Sequence, residues 1–468
     1  MKQDEPVITA EAVLQATGGR MLRGESAWPC RGISTDTRTL VPGNLFIALT
    51  GSRFDGHACL AAAAEKGACG LLIRSDWPLL EREALALPVI GVPDTLRAMG
   101  DIAHAWRRRF SLPVVTITGS SGKTTTKEML GAIASLSGEF LKTEGNLNNL
   151  IGLPQTLLGL REEQRLAIVE IGTNSPGEIA RLATIAAPTV GLITNIGPAH
   201  LEGLGSLAGV REEKGSLWRI MDGQGTAIFN HDDPEIAVLA KRWRGQGVTF
   251  GLNAGADVAA QDIESAAPEG VRFLLTIAGT SLPIRLHTPG EHNVANALAA
   301  AACAWTLGFD LALIAAGLAA FRPAPGRSEV RTLANGAHLI VDTYNANPAS
   351  VGEALRTLAG LRGGGRAVAI LGDMLELGNE ANQWHARIGD LAARTGIDHL
   401  YLKGNFADQT AAGAIAGGLP AGRITLFEDP RMVLDHLGPR LKKGDWILVK
   451  GSRKMRMEAV AEAIESGI

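Results

Sequence analysis

The sequence predicts an α/β protein built from three domains, and three observations lead to this prediction. At about 150 residues for each domain, a chain of 468 residues has room for three. Hydrophobic residues make up 46% of the chain, which is enough for a packed core in each domain. Short β-branched runs alternate with stretches rich in alanine and leucine, a pattern typical of largely parallel sheets covered by helices.

The first predicted domain, residues 1–111, is a small α/β domain. Its strand candidates are the apolar runs NLFIALTG, GACGLLIRS and LPVIGVPD. A polar, basic helix, DIAHAWRRRF, and then Pro113 lead into the next domain. We therefore place the first boundary after residue 111.

The second predicted domain, residues 112–325, is organised around a mostly parallel central sheet. It opens with the strand LPVVTITG and continues with LAIVEIG and TVGLITNIG. The run RFLLTIAGTSLPIRLHTPG predicts a β-hairpin whose turn is the central GTS. The proline-rich stretch RPAPGRSEV, residues 322–330, marks the second boundary.

The third predicted domain, residues 326–468, has a Rossmann-like arrangement. Its strand candidates HLIVDTYN, RAVAILGDM, HLYLKGN and DWILVKGSR are separated by helical stretches. The proline–glycine segment 323–326 before it is the expected hinge, if the domains close around their ligands.

Composition excludes several classes of protein. A net charge of −3 gives no indication of a nucleic-acid or acidic-membrane partner. The start, MKQDEPVITA, lacks the apolar core of a secretory signal, and NVANALAAAACAWTLGF is too interrupted for a membrane span. We therefore expect a cytoplasmic protein without membrane insertion. Buried thiols in a reducing compartment, rather than disulfides, are expected for the four scattered cysteines, Cys30, Cys59, Cys69 and Cys303.

The stretch TITGSSGKTT, residues 116–125, predicts a phosphate-binding loop of unusual length. The usual pattern places its first glycine five residues before the Gly-Lys pair, where Ile117 stands, and Gly119 comes two residues later. A strand still enters the loop and a helix-forming run still leaves it, so backbone N–H groups and a helix N-terminus face one anion. The alternative is a capped helix after a strand, with a solvated lysine. The predicted nucleotide-binding residues of this loop are Gly119, Ser120, Ser121, Gly122, Lys123, Thr124 and Thr125.

Individual side chains in and near this loop have the chemistry that a nucleotide site needs. Lys123 is placed to reach the β- and γ-phosphates, and the Thr124 hydroxyl is placed to bind Mg²⁺, as in P-loop ATPases. Glu170 ends the strand AIVE, at the carboxyl edge where open α/β sheets bind ligands, although an exposed strand-end glutamate is the alternative. His200 follows a strand in the same way, and the residues alone leave open whether it is a ligand or a surface histidine.

Nine motifs, in this order along the chain, resemble those of the Mur ligases of peptidoglycan synthesis. The resemblance extends from about Thr35 to Arg453, and such a dispersed set is far more specific than one loop. The shortened Gly-x-x-Gly-Lys-Thr loop is typical of that family. The motifs are TGSSGKTT, GNLNNLIGLP, VEIGTN, NIGPAHLEGLGS, PGEHNVANALAA, PGRSE, DTYNANPAS, GDMLELG and KGSR.

The resemblance implies a fold and a reaction. The expected domains are an amino-terminal one for a UDP-sugar, a central ATPase and a mobile carboxyl-terminal one. ATP would phosphorylate the terminal carboxylate of UDP-MurNAc-tripeptide, and the amine of D-Ala-D-Ala would then displace phosphate, giving UDP-MurNAc-pentapeptide. The implied cofactors are ATP and Mg²⁺ at two sites, and the family implies a monomer. The third residue of the tripeptide, diaminopimelate or lysine, is left open.

The resemblance also implies roles for residues of the central domain. Lys123 would contact the ATP phosphates, and Thr124 with Glu170 would hold one Mg²⁺. His200 would bind the second Mg²⁺ together with Lys214, fourteen residues later, whose carbamylation would supply an anionic oxygen. Without the resemblance, Lys214 in VREEKGSLW is a lysine of a surface helix.

Further nucleotide and substrate contacts are implied at matching positions. The implied ATP contacts elsewhere are Asn293 and Asn296 on the adenine or ribose side, beside His292, and Arg327 and Asp342 from the hinge and third domain. Alternative interpretations are a buried helix with a polar stripe, a linker arginine and a strand-end aspartate. The implied substrate-binding residues are Ser34, Asp36, Arg38, Phe54, Asp55, Gly56 and His57 for UDP; Asn146, Asn148 and Asn149 near the muramoyl-peptide; Asn345 and Asn347 near the dipeptide; and Lys450, Ser452 and Arg453 on closure.

Other functions remain possible from the motifs. A sister ligase adding a single amino acid shares most of them, but the Asp-Asn-Pro-Arg signature of the diaminopimelate ligase is absent and YNANPAS stands instead. A folylpolyglutamate synthase would lack the UDP-sugar domain that precedes the loop here. A regulatory nucleotide-binding protein, a different class, would have no need for two substrate-binding domains around an ATPase.

Overall fold

A computed structural model describes residues 7–51, 54–78 and 87–468 of the chain. The chain divides into two compact units, and each is described by itself. The predicted domain boundaries after residues 111 and 325 remain predictions. The first unit is Met1–Thr116, Gly138–Gly172 and Glu178–Thr189, and the second is Ile117–Ser137, Thr173–Gly177 and Val190–Ile468.

The first unit contains a five-stranded sheet in the order β2-β7-β6-β5-β4, in which β4 to β7 are parallel and β2 is antiparallel. The three predicted strands of this region are confirmed as β5, β6 and β7. The strands are β1 Val7–Thr9, β2 Arg20–Arg23, β3 Pro29–Arg31, β4 Ile33–Ser34, β5 Leu45–Ile47, β6 Gly70–Arg74 and β7 Val89–Val92. The helices are α1 Ala10–Thr17, α2 Leu60–Glu65 and α3 Thr95–Arg107, with a 3₁₀ turn at Gly56–Cys59.

Helix α3 confirms the predicted basic helix in part, since it begins earlier, at Thr95, and ends at Arg107 rather than at Phe110. The Asp94 carboxylate accepts the Arg97 N–H and so caps the first turn. At the other end the Arg107 guanidinium is buried and donates to the carbonyl oxygens of Phe110 and Ala186. Burial lowers the pKa of Arg107, and the carbonyl dipoles around it compensate for part of that cost.

Strand β8, Val114–Thr118, crosses the division between the units. The predicted strand LAIVEIG, here β10, is confirmed and pairs in parallel with β9. The remaining elements of the first unit are β9 Leu141–Lys142, α5 Gly152–Leu157, β10 Ala167–Glu170 and α6 Glu178–Ala186.

The first helix of the second unit is α4, Lys123–Ala134, which confirms the predicted helix-forming run after the phosphate loop. Strands β11 to β14 are parallel neighbours, and β14, β15 and β16 continue the sheet in antiparallel fashion. Its strands are β11 Val190–Ile193, β12 Thr226–Asn230, β13 Gln246–Gly251, β14 Val258–Ser265, β15 Val271–Ile277 and β16 Thr280–Leu286. Its helices are α7 Leu201–Leu204, α8 Leu207–Met221, α9 Pro234–Ala240, α10 Glu291–Thr306 and α11 Leu311–Ala320.

The predicted hairpin is confirmed, but its turn is not GTS. The turn consists of Ala278 and Gly279, with φ angles of 49° and 78°, and Thr280 already pairs with Ile277. Two-residue turns with positive φ at both positions match the twist of paired strands, which places Thr280 and Ser281 in β16.

The rest of the second unit has a six-stranded sheet in the order β17-β18-β22-β19-β20-β21, parallel except for the edge strand β17. This confirms the Rossmann-like prediction. The strands are β17 Glu329–Thr332, β18 His338–Asp342, β19 Ala367–Gly372, β20 His399–Lys403, β21 Ile424–Leu426 and β22 Trp446–Lys450. The helices are α12 Pro348–Leu361, α13 Ala381–Arg394, α14 Ala407–Ala416, α15 Pro430–Leu437 and α16 Glu458–Gly467.

The register of this sheet brings polar strand ends to one edge. Asp342 pairs with Lys450, and Gly372 pairs with Lys403. The sheet is held by a buried core that includes Val341, Ile370 and Val449. In open parallel sheets this carboxyl edge is the one that binds ligands.

No helix among the described residues is long and apolar enough to cross a membrane. The four cysteines are free thiols. Cys30 and Cys303 are buried as expected, whereas Cys59 and Cys69 are only half-buried.

Candidate active site

The shortened loop after β8 is shaped by two glycines, and a Cβ at either position would force a neighbouring side chain to move. Gly122 has φ 79°, and a Cβ there would lie 2.1 Å from Asn296 Oδ1. A Cβ on Gly119 would lie 1.9 Å from Thr194 Oγ1. The loop therefore passes directly against its neighbours.

The segment after β11 fixes the loop by hydrogen bonds. The Ser120 N–H donates to the Asn195 carbonyl, and the Ser121 N–H donates to Asn195 Oδ1, each over 3.0 Å. Thr194 Oγ1 donates to the Ser121 carbonyl over 2.6 Å, and Ser120 Oγ donates to the Gly197 carbonyl over 2.9 Å. These hydrogen bonds fix the course of the loop from Ser120 to Ser121. Sequence reasoning missed Thr194 and Asn195, although they lie in the predicted strand run TVGLITNIG, and in the structure they directly follow β11.

The Lys123 side chain folds back over the phosphate loop. Lys123 Nζ donates to the Gly119 carbonyl over 2.7 Å. Helix α4 begins at this residue, and Gly122 has no side chain that could cap it. A helix start of this kind attracts an anion.

Arg327 reaches the loop from the segment before β17. Its guanidinium donates to Thr124 Oγ1 over 3.0 Å and lies 3.7 Å from the centre of the Tyr344 ring. Asp342, also predicted to reach ATP, accepts the Ser328 N–H over 3.3 Å and pairs with Lys450 Nζ over 2.6 Å. The structure thus places Arg327 at the phosphate loop and pairs Asp342 with Lys450.

Asn293 and Asn296 lie buried on α10, behind the loop. Asn296 Nδ2 donates to Asn293 Oδ1 over 3.2 Å, and the Thr126 hydroxyl donates to Asn296 Oδ1 over 3.4 Å. Asn293 Nδ2 donates to the Pro289 carbonyl over 2.7 Å. These amides fasten α10 to the first turn of α4. Both asparagines are thus buried, which agrees with the alternative interpretation of this stretch as a buried helix with a polar stripe.

His292 carries an orphaned polar atom. Its Nδ1 is buried and has no hydrogen-bond partner among the described residues. Burial lowers the pKa of His292 to about 4, the Asp342 charge opposes this shift, and the Lys450 charge adds to it. A buried nitrogen without a partner is costly unless a ligand supplies one.

Lys214 lies on α8 and is buried, with only 1% of its surface exposed, so the surface-helix interpretation is wrong. Burial lowers its pKa well below the ordinary value, and the Lys123 charge acts in the same direction. The neighbouring Glu213 is also buried and accepts the Gly177 N–H over 2.7 Å and the Thr173 hydroxyl over 3.2 Å.

His200 precedes the short helix α7 and has a left-handed backbone, with φ 54°. Its Nδ1 lies 2.7 Å from Glu376 Oε2, and a carboxylate accepts, so Nδ1 carries the proton. This hydrogen bond lowers the pKa of Glu376. Glu376 belongs to the GDMLELG motif, but sequence reasoning gave it no role.

Glu170 lies at the end of β10 in the first unit and is 2% exposed, so the exposed-glutamate alternative is wrong. Its Oε1 accepts Asn148 Nδ2 over 2.8 Å, and its N–H donates to Thr143 Oγ1. Asn149 Oδ1 accepts the N–H groups of the chain entering α5, and the carbonyl of the exposed Asn146 accepts the Asn148 N–H. Asn148 therefore orients the glutamate carboxylate.

The predicted UDP residues around β4 form a turn. Asp36 and Arg38 pair over 2.6 Å on the surface, and Arg38 lowers the pKa of Asp36 to about 2. Ser34 Oγ donates to the Asp36 carbonyl and is nearly buried. The charged pair is thus the accessible part of this turn.

The second predicted UDP segment has an exposed phenyl ring beside a buried imidazole. Phe54 is 58% exposed, whereas the His57 side chain is fully buried, stacked on Trp77 at 4.3 Å. His57 Nδ1 bonds Asp55 Oδ1 over 2.6 Å, and Nε2 accepts the Arg74 N–H. Both nitrogens are occupied, so His57 shapes the loop around Gly56. Ser52 and Arg53 of the same motif lie outside the described residues.

The third-domain loops meet at the carboxyl edge of their sheet. Asn347 caps α12 with Ser350, and its Nδ2 also donates to the Ser120 carbonyl of the phosphate loop over 3.1 Å. Asn345 accepts the next N–H along the chain. Ser452 is buried, and Arg453 is exposed and pairs with Glu458 over 3.4 Å.

Metal binding here would depend on mixed donors. Within residues 7–51, 54–78 and 87–468, no three His, Cys, Asp or Glu side chains form a cluster that could hold a metal ion. The Thr124 hydroxyl is an oxygen donor of another kind, and the buried Lys214 amine favours the uncharged form from which a carbamate oxygen ligand would be made. Hard Mg²⁺ accepts hydroxyl, carbamate and phosphate oxygens, so these residues fit it.

Comparisons with known proteins show similarity to Mur ligases over most of the chain. A family model described as the Mur ligase middle domain matches residues 117–304, and one described as the Mur ligase, glutamate ligase domain matches residues 326–453. The UDP-N-acetylmuramoyl-tripeptide–D-alanyl-D-alanine ligase of Escherichia coli (strain K12) is 39% identical over 440 residues, covering 92% of this chain and 93% of that protein.

Solved structures of the same kind superpose over most of the chain. A crystal structure of MurF from Acinetobacter baumannii has a TM-score of 0.89 at 34% identity and covers 99% of both chains. MurF from Thermotoga maritima, in complex with ADP, has a TM-score of 0.83 at 28% identity and covers 93% of this chain and 97% of that one.

Proposed function

The chain belongs to the Mur ligase family, and we propose that it ligates D-Ala-D-Ala to UDP-MurNAc-tripeptide with ATP, giving UDP-MurNAc-pentapeptide. The observation that carries this proposal is the Gly119–Thr124 loop. It is held ready by Asn195 and touched by Arg327 from the hinge. The enzyme works as a monomer in the cytoplasm.

The reaction needs ATP because a carboxylate is a poor acyl donor at neutral pH. An oxygen of the peptide carboxylate attacks the γ-phosphorus of ATP, and ADP leaves. The dipeptide amine then attacks the acyl carbon, forms the amide bond, loses a proton and expels inorganic phosphate. The protein contributes positioning and charge neutralisation, which are the main sources of rate acceleration in such transfers.

The phosphate loop binds the ATP phosphates. The loop N–H groups and the start of α4 face the anion, and Lys123 Nζ moves from the Gly119 carbonyl to phosphate oxygens. Arg327 adds a second cation from the hinge, fixed by its contact with Tyr344. The adenine or ribose of ATP is bound next to α10, at His292, Asn293 and Asn296.

Two Mg²⁺ sites complete the charge balance. As the family resemblance implies, Thr124 and Glu170 would hold one ion, and His200 with a carbamylated Lys214 would hold the other. When bound, Mg²⁺ neutralises charge on the phosphate oxygens. The uncharged Lys214 amine forms an N–C bond with CO₂ and loses a proton, and the resulting anion is an oxygen ligand.

The substrates are bound by the flanking domains. Asp36, Arg38 and Phe54 are accessible to the UDP moiety, while Asp55 and His57 shape the loop that presents Phe54. The third-domain loops receive the dipeptide at the carboxyl edge of their sheet. The substrate-facing residues proposed for the remaining positions are Ser34, Gly56, Asn146, Asn148, Asn149, Asn345, Asn347, Lys450, Ser452 and Arg453.

A substrate panel tests this function. Phosphate release coupled to an enzymatic indicator is measured with UDP-MurNAc-tripeptide and ATP, adding either D-Ala-D-Ala or single amino acids. We expect release with the dipeptide only, and a product mass larger by the dipeptide residue. Turnover of a single amino acid in its place would assign the chain to a sister ligase. Release without any peptide acceptor would reject ligation altogether.

A further inference from the structure

His200 is held in a backbone conformation that residues with a side chain rarely adopt. Its φ is 54°, and α7 begins at the next residue. Left-handed conformations cost energy in residues other than glycine, so surrounding contacts must stabilise them. The His200 side chain is 19% exposed and is hydrogen-bonded to the Glu376 carboxylate.

Glu376 contacts this segment twice, once through its side chain and once through its backbone. Its carboxylate accepts the proton on His200 Nδ1 over 2.7 Å, and its carbonyl oxygen accepts the Glu202 N–H over 3.1 Å. Two residues later, Gly378 packs so closely that a Cβ there would lie 3.2 Å from Glu202 Cα. Glu376 itself has φ 65°. Isolated surface ion pairs contribute little, but here side-chain and backbone contacts act together.

The segment 373–378 that carries Glu376 is tied to the third-domain loops. The Leu375 N–H donates to Ser452 Oγ over 2.9 Å, and Ser452 Oγ donates to the Ala346 carbonyl over 3.3 Å. The Ser452 N–H in turn donates to the Asp373 carbonyl over 3.0 Å. Segment 373–378 therefore moves with the loops that contain YNANP and KGSR.

Segment 373–378 is also rigid within its own domain. The Asp373 carboxylate accepts the N–H groups of Asn405 and Phe406, and the Met374 N–H donates to the buried His385 Nε2 over 2.9 Å. Met374 and Leu377 are buried. If the third-domain loops were displaced, Glu376 would consequently move with them.

We propose that Glu376 is a positioning residue that couples the dipeptide-binding loops of the third domain to His200. When those loops dock, the Glu376 carboxylate accepts the hydrogen bond from His200 Nδ1. This fixes the orientation of the imidazole ring and leaves Nε2 available for the metal ion proposed for the central domain. Carboxylates commonly orient metal-binding histidines by accepting the second ring N–H. The reaction therefore senses whether the third domain is in place. The role of His200 in this inference rests on the proposed function.

The test compares Glu376→Ala with Glu376→Gln, which can still accept a hydrogen bond. Glu462→Ala removes an exposed carboxylate from α16 and is the matched control. Two readouts are used: kcat and KM in the ligation assay, and hydrogen exchange of the Leu201–Leu204 segment in the protein without ligands. We expect Glu376→Ala to lower kcat about 10- to 100-fold and to raise exchange of the segment. Glu376→Gln should stay within about threefold of the unmodified protein, as partner groups that orient metal ligands act through hydrogen bonds.

Each outcome decides the inference. Unchanged kcat and unchanged exchange in Glu376→Ala would overturn it, and so would a Gln variant as impaired as the Ala variant. A general loss of activity that also appears in Glu462→Ala would contradict a specific coupling. Failure of the unmodified protein to ligate the dipeptide would reject the proposed function instead, while the exchange comparison would still report on the contact with His200.

Discussion

Replacing Gly122 with alanine should damage the phosphate loop more than a left-handed backbone alone can explain. Alanine at φ 79° costs about 1 kcal/mol. Its Cβ would also stand 2.1 Å from Asn296 Oδ1, so the amide must rotate away. That rotation breaks the hydrogen bonds of Asn296 with Asn293 and Thr126, at about 1 kcal/mol each. The expected loss of stability is therefore about 3 kcal/mol.

A matched substitution separates the two contributions. Gly308 also has a left-handed backbone, φ 86°, but no heavy atom lies within 4 Å of an added Cβ. Gly308→Ala should thus lose only about 1 kcal/mol. Denaturant unfolding of both variants gives the stabilities, and titration calorimetry gives the affinity for ATP. We expect at least tenfold weaker ATP binding in Gly122→Ala and no change in Gly308→Ala. Equal stabilities together with unchanged ATP affinity would refute the account of the loop.

Three further predictions follow from the same contacts. Lys123→Ala should lower kcat by at least about 100-fold in the phosphate-release assay, since a cation on the transferring phosphate is lost; near-normal turnover would mean that the loop does not bind ATP. Lys214→Ala should be impaired and partly restored by a small carboxylate such as acetate, whereas a mass spectrum that finds only unmodified lysine in bicarbonate would contradict carbamylation. Burial and the charge of His436 lower the pKa of His399 to about 4, so the folded state resists protonation. The contribution of His399 to the free energy of unfolding should be fully present above about pH 6.5 and should be lost as the pH falls to about 4. In unfolding measurements, His399→Gln should reduce this pH dependence. An unchanged pH dependence would reject the assignment.

The sequence was a good guide where a pattern repeats along the chain. The strands β5 to β8, β10 and β11, and the start of α4 at Lys123, follow from β-branched runs and a glycine-rich turn. Strands β12, β13 and β14 escaped prediction. Their runs TAIFN, QGVTFG and VAAQDIES include polar residues, and they acquire strand structure through pairing with β11 and its neighbours.

Burial of single polar residues was harder to predict. Glu170 and Lys214 each had a surface alternative, and both turn out to be buried. Nothing local distinguishes a buried lysine in VREEKGSLW from an exposed one. What decides is packing of α8, which turns Glu213 and Lys214 inward and gives the carboxylate its partners in Thr173 and Gly177.

Contacts between distant parts of the chain could not be predicted from local pattern at all. His200 and Glu376 are 176 positions apart, and Thr124 and Arg327 are 203 apart. Each residue lies in a motif that the sequence singles out, but a motif does not specify which other motif it will touch. Only the folded chain supplies that pairing.

Three of these long-range contacts join the third domain to the nucleotide region, and they affect when phosphate transfer can occur. Arg327 donates to Thr124, Asn347 donates to the Ser120 carbonyl, and Glu376 accepts from His200. In all three cases a residue from 326–468 reaches a polar group of the nucleotide region. An acyl phosphate is lost to water unless the amine is already in place, so a site assembled by the loops that we propose to bind the dipeptide would protect the intermediate. Such a site should transfer phosphate slowly when the third-domain contacts are broken, even with ATP and the tripeptide bound.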